Sequence, residues 1–182
     1  EETRLALRDA FYFEPVSTVS RVVFLGTPHA GSPKANRPVG RLGTKLVDEP
    51  SSMNAIRNQL LRDNPGAFTE EFERRIPTSI DLLRPESPLL QEMNCLKYSD
   101  SVRLHSIIGC GYYLVGSGDS DKVVPVTSAR ISEVESERLI ISKHTKINSN
   151  EKALEELYRI LECHLVEPRV SETGYVVGRL QE

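Results

Sequence analysis

Apolar residues follow two spacings along this chain. Three short runs are nearly continuous: Arg21-Val-Val-Phe-Leu25, Val102 to Cys110 with Ile107 and Ile108 inside it, and Arg138-Leu-Ile-Ile-Ser142. They are rich in β-branched residues, and the first is closed by Gly26-Thr-Pro28. Runs of this kind predict strands of a parallel sheet covered on both faces. Elsewhere apolar positions recur at helical spacing. Leu5, Ala6 and Phe11 fall among charges and predict a short helix ended by Pro15. Ala153, Leu154, Leu157, Ile160 and Leu161 mark one face of a longer helix, with Asn150 placed to cap it and Glu151 in its first turn.

Between the first two strands the pattern is helical and interrupted. After a glycine- and proline-rich loop from Pro28 to Pro38, residues 39–94 show no strand. Ser52 is placed to cap a helix through Met53, Ile56, Leu60 and Leu61, which Asn64-Pro65-Gly66 breaks. Short helical pieces are expected at Phe68 to Arg75, Thr78 to Leu83 and Pro88 to Met93. This is a helical insertion between strands, of the kind that forms a lid. Gly109, Gly111, Gly116 and Gly118 predict a long flexible loop up to Asp121, and Val123 to Val126 lead into a short segment. After Pro168 a polar tail carries one β-like piece at Tyr175 to Val177.

Strands alternating with helices imply an α/β fold with a mainly parallel sheet. Three strands are few for one, and the chain opens at Glu1 inside a helical pattern. We therefore expect further strands, and the natural N-terminus, upstream. The expected organisation is one domain part over residues 1–167, followed by the tail over 168–182.

Composition narrows the function classes. With 38% hydrophobic and 27% charged residues, the chain reads as an ordinary globular protein. A net charge of −3 and the absence of a basic stripe argue against nucleic-acid binding. No apolar run approaches the roughly 20 residues that a transmembrane helix needs. Cys95, Cys110 and Cys163 are too scattered for a disulfide framework or a metal knuckle. They are expected as buried or half-buried thiols, which leans toward a reducing compartment and leaves the location otherwise open. Nothing in the pattern asks for a metal or an organic cofactor, and none is expected.

Chemistry in open parallel sheets collects in loops after the carboxyl ends of strands. Three such loops carry reactive side chains: Gly26-Thr27-Pro28-His29-Ala30-Gly31-Ser32, Gly116 through Asp121 to Pro125, and Ser142-Lys143-His144-Thr145. A carboxylate and an imidazole in neighbouring loops are the parts of a proton-transfer pair. Asp121 precedes His144 by 23 residues, room for one loop and one strand returning to the same sheet edge. Asp121 also fits a turn-capping role, Asp119 is the rival acid, and His144 also fits a solvent-facing loop position. His105, in or beside a strand, reads as structural, and His164 as a histidine favoured by a helix carboxyl end.

These three segments together resemble the α/β-hydrolase superfamily, in particular lipase- and esterase-like serine hydrolases. Val22-Val-Phe-Leu-Gly-Thr-Pro-His-Ala-Gly-Ser32 is similar to the strand and loop that follow the family's nucleophile helix. Asp121-Lys-Val-Val-Pro125 with Ser128-Ala129 resembles the acid-bearing segment, and Lys143-His-Thr145 the histidine-bearing one. The resemblance covers most of residues 19–165. It implies the C-terminal half of the fold, with Asp121 and His144 as two members of a Ser-Asp-His triad and an ester or lipid as substrate. Thr27, Pro28 and His29 would form an active-site loop, with His29 in an organising role.

The family's Gly-x-Ser-x-Gly elbow is not found. Gly116-Ser117-Gly118 has the wrong spacing, Ser32 lies in a loop past the first strand, and Ser106 lies inside a strand. The serine is therefore expected upstream, in the missing N-terminal half, and these residues alone are expected to be inactive. The alternative is a non-catalytic binding module that keeps the hydrolase fold.

Overall fold

A computed structural model of the protein describes residue 16, residues 18–36 and residues 51–166. β1 (Arg21–Leu25) leads to a 3-10 turn (Pro33–Asn36) and to helices α1 (Ser51–Asp63), α2 (Glu70–Arg74), α3 (Ser79–Leu82) and α4 (Pro88–Cys95). β2 (Arg103–Cys110), the strands β3 (Tyr112–Leu114) and β4 (Gly118–Ser120), and α5 (Val126–Ala129) follow. β5 (Ser136–Ile141), a second 3-10 turn (His144–Ser149) and α6 (Glu151–Val166) complete the described chain. The helix expected near residues 2–11, residues 39–50 of the insertion and the tail from 168 lie outside the described residues.

The three apolar runs form one parallel sheet in the order β1-β2-β5. β2 is central, and Leu104 to Gly109 are all buried. Alternate side chains of the sheet feed two cores. Ile107 and Ile140 pack with Ile147 and with Ala153 of α6, with Val23 against them. Ile108 packs on the other side with Val124 and with Val126 and Ala129 of α5. Full burial of one such isoleucine contributes about 1.5–3 kcal/mol. The fold is thus α/β with a parallel three-stranded sheet between helices.

Helix ends follow the local chemistry. Asn150 caps α6, its Oδ1 accepting from the Lys152 amide at 3.0 Å. Thr78 and Asp81 form a reciprocal capping box at α3. Asp81 also accepts two bonds from the Arg75 guanidinium, at 2.6 and 2.9 Å, which hold its carboxyl well below the usual carboxylate range.

Four expectations need correction. The described part of α1 already includes Ser51, one residue before the expected cap at Ser52. The glycine-rich stretch before Asp121 is a hairpin of β3 and β4. Its glycines serve a turn, since Gly116 and Gly118 take positive φ of 82° and 76°, open to residues without Cβ. Cys95 is exposed, while Cys110 and Cys163 are half-buried as expected. On α6 only Ala153 and Ile160 are buried; Leu154 and Leu161 are exposed. Within residues 51–94 the described segment is helical and strand-free, and no described helix is long and apolar enough to cross a membrane.

Candidate functional site

Asp121 and His144 meet at the carboxyl end of the sheet. Asp121 follows the β3–β4 hairpin and His144 opens the 3-10 turn after β5. His144 Nδ1 lies 2.7 Å from Asp121 Oδ2, and the His144 amide donates to the Asp121 carbonyl at 2.9 Å. The other carboxylate oxygen, Oδ1, accepts from the amides of Val123 at 2.9 Å and Val124 at 2.7 Å. The carboxylate is therefore aimed by its own following turn, which Val124 anchors in the core.

A carboxylate facing Nδ1 holds the ring proton there and leaves Nε2 as acceptor. The Asp121 hydrogen bond, together with its charge, raises the His144 pKa above the ordinary histidine value, against an opposing effect of burial. Asp121 is 1% exposed and the His144 side chain 34%, so the acid is sealed while the imidazole reaches solvent. Such a pair can take a proton at Nε2 and stabilise the resulting cation. Among the described residues no hydroxyl bonds Nε2.

Two glycines vacate the space that the pair occupies. Gly26 closes β1 with φ +58°; a Cβ there would lie 2.5 Å from Ile147 Cδ1, 3.3 Å from Asp121 Oδ2 and 3.4 Å from His144 Nδ1. At Gly109, near the end of β2, a Cβ would lie 2.6 Å from the Asp121 Cβ. Sequence reading marked Gly26 only as a strand boundary. Its signal was a glycine directly after an apolar strand, where close approach is one reason for the residue.

The loop at residues 27–32 is bound to the acid-bearing segment by reciprocal serine bonds. Ser32 Oγ donates to the Val123 carbonyl at 2.6 Å, and Ser128 Oγ to the Gly31 carbonyl at 2.5 Å. The Ala30 amide also donates to the Ser128 carbonyl at 3.2 Å. Thr27 and Pro28 are half-buried in this loop. His29 is buried, packed edge-on against Phe24 with ring centroids 4.6 Å apart, and burial lowers its pKa. It does not join the Asp121–His144 pair. A cavity of about 330 Å³ beside it, lined by Asn94, Tyr98 and Arg130 among others, also excludes the pair.

Asp119 is engaged elsewhere. Its Oδ1 accepts from the amides of Gly111 at 2.7 Å and Ser120 at 2.8 Å, closing the base of the hairpin. Ser106 is buried within β2, and Ser117 lies in the hairpin turn. His105 is buried in β2 between Arg21 and Ser136, and His164 lies in the last turn of α6. No cluster of His, Cys, Asp or Glu among the described residues could hold a metal ion.

The chain matches no family model and no curated protein. Among solved structures it is similar to a Bacillus licheniformis lipase in its mature form. The two are 16% identical with a TM-score of 0.47, over 79% of this chain and 55% of the lipase. The chain thus spans about half the length of that lipase. A likeness this distant decides neither fold family nor activity.

Proposed function

We propose that this chain is the C-terminal part of an α/β-hydrolase and supplies the acid and base of a Ser-Asp-His hydrolase. Its substrates would be carboxylic esters, lipids among them, cleaved through an acyl-enzyme. The observation that carries the reading is the 2.7 Å contact between His144 Nδ1 and a sealed Asp121, in loops at the carboxyl ends of parallel strands. In this reading Nε2 takes the proton of a serine hydroxyl supplied by the N-terminal half, then returns it to the leaving alkoxide. The helices between β1 and β2 form the lid, and residues 27–32 brace the acid's loop.

A second reading, a binding module that keeps the hydrolase fold, is favoured by the lack of a hydroxyl on Nε2 among the described residues. Fluorophosphonate labelling of the protein in its native, full-length form separates the two. Covalent labelling of a serine, lost in His144→Ala with folding intact, is expected. A folded protein that takes no label overturns the hydrolase reading in favour of the binding module.

A further inference from the structure

The other end of the sheet holds a second buried imidazole. His105 is 1% exposed, and the register sets it beside Val23 of β1 and Ser136 of β5. Its Nε2 lies 2.7 Å from Arg21 Nη1 and its Nδ1 lies 2.8 Å from Ser136 Oγ. A guanidinium only donates, so Nε2 must be without a proton and the ring's single hydrogen sits on Nδ1. Nδ1–H then donates to Ser136 Oγ, and that hydroxyl donates to Glu156 Oε1 at 3.1 Å. Every donor along Arg21, His105, Ser136 and Glu156 points the same way, across β1, β2, β5 and α6. The ring's basic nitrogen faces a cation, so this is no second proton-transfer site.

We propose that this chain of bonds is an acid-released latch, in which protonation of His105 expels Arg21 from the ring and loosens β1 from the sheet. A proton from solvent on Nε2 would set N–H against N–H at the Arg21 contact, between two cations. The Arg21 side chain is only 7% exposed, which leaves little water to screen them. An acidic partner is already at hand, because Glu135 Oε1 lies 3.3 Å from the same Nη1, while Glu135 Oε2 is held by Arg103. The Nδ1–H bond to Ser136, and through it Glu156, survives protonation. Release therefore affects the β1 side alone.

The charged groups facing His105 are Arg21 from β1, Glu135 just before β5, and Glu156 and Arg159 from α6. The carboxylates favour the charged ring and the guanidiniums oppose it; burial is the largest influence and leaves the pKa below the ordinary histidine value. The unfolded chain, with a histidine pKa near about 6.5, then binds more protons than the folded one below that pH. Stability due to the latch is complete above about pH 6.5 and is lost as pH falls toward the folded-state pKa. His144 has the opposite sign, since its raised pKa makes its contribution fade as pH rises. Because Gly26, directly after β1, lies against the Asp121–His144 pair, the latch would also link acidity to that site. Only this link rests on the functional reading above.

Urea unfolding of the full chain from pH 7.5 to 5, with and without His105→Gln, tests the latch alone. The glutamine amide can accept from Arg21 and donate to Ser136 but does not titrate. Below pH 6.5 the wild-type unfolding constant should climb relative to the variant's, by up to about tenfold per pH unit. The depressed pKa of His29 is common to both proteins and cancels. Parallel profiles would overturn the proposal. If His105→Gln does not fold, imidazole NMR of the wild type decides. A neutral Nδ1–H ring at pH 7 that titrates below 6.5, with β1 amides losing exchange protection in step, supports the latch. A ring titrating at or above 6.5, or β1 amides indifferent to it, refutes it.

Discussion

Three glycine-to-alanine variants separate the two physical demands that the site places on its backbone. Gly66 has φ +74° and nothing within 4 Å of a would-be Cβ, so Gly66→Ala meets a conformational cost alone. That cost is about 1–2 kcal/mol for an L-residue in the left-handed region. Gly109 has no positive φ, yet its Cβ would sit 2.6 Å from Asp121 Cβ, 3.0 Å from Ile147 Cδ1 and 3.2 Å from the Ser142 carbonyl. Gly109→Ala therefore meets crowding alone, at about 1–3 kcal/mol for an overpacked interior. Gly26→Ala combines φ +58° with a 2.5 Å approach to Ile147, so about 2–5 kcal/mol is expected. Denaturant unfolding at pH 7, compared at constant m-value, gives the three differences directly. The order Gly26 > Gly109 ≥ Gly66 is expected, with His144 chemical shifts moving in the first two variants only. A Gly109→Ala loss below about 0.5 kcal/mol, the range of a neutral surface change, would refute the claim that strand ends are vacated for the pair.

Two further outcomes follow from the site's hydrogen bonds. In Asp121→Asn the His144 pKa should fall, because the bond and charge that raise it are gone while burial remains. The pair's contribution to stability is complete below about pH 6.5 and lost as pH rises through the raised value, so Asp121→Asn should flatten that alkaline loss. Imidazole NMR titration checks this; an unchanged His144 in Asp121→Asn and a shifted one in Asp119→Asn would make Asp119 the acid. Ser128→Ala should cost about 1–3 kcal/mol in urea unfolding, since the buried Gly31 carbonyl loses its side-chain donor. A loss no larger than that of an exposed serine would show that the two loops are not braced through Ser128.

Much of this architecture was legible in the residue pattern. β-branched runs read as the three strands of the parallel sheet, although only β2 is buried along most of its length while β1 is half-buried and most of β5 is exposed. Asn150 and the helical spacing after it read as the last helix. Asp121 and His144 stood out as a candidate pair because both fall in loops after strands. Asp121 was favoured over Asp119 because the apolar Val-Val-Pro follows it. In the fold the turn after Asp121 donates two amides to its carboxylate, whereas Asp119 is turned back on the hairpin. The glycines of that hairpin looked like slack because composition does not reveal whether freedom in φ is spent on mobility or on a tight reversal.

The sequence by itself determined what depends on neighbours along the chain: which apolar runs form strands, which stretches form helices, and which residue types are available for proton transfer. Only the tertiary structure decided what depends on partners far apart in sequence. It set Gly26 and Gly109 around the Asp121–His144 contact, joined Ser32 to Val123 and Gly31 to Ser128, and placed Arg21 on His105. The physical reason is that periodicity encodes a face, whereas a proton's position on an imidazole depends on which donor or acceptor the fold brings to each nitrogen.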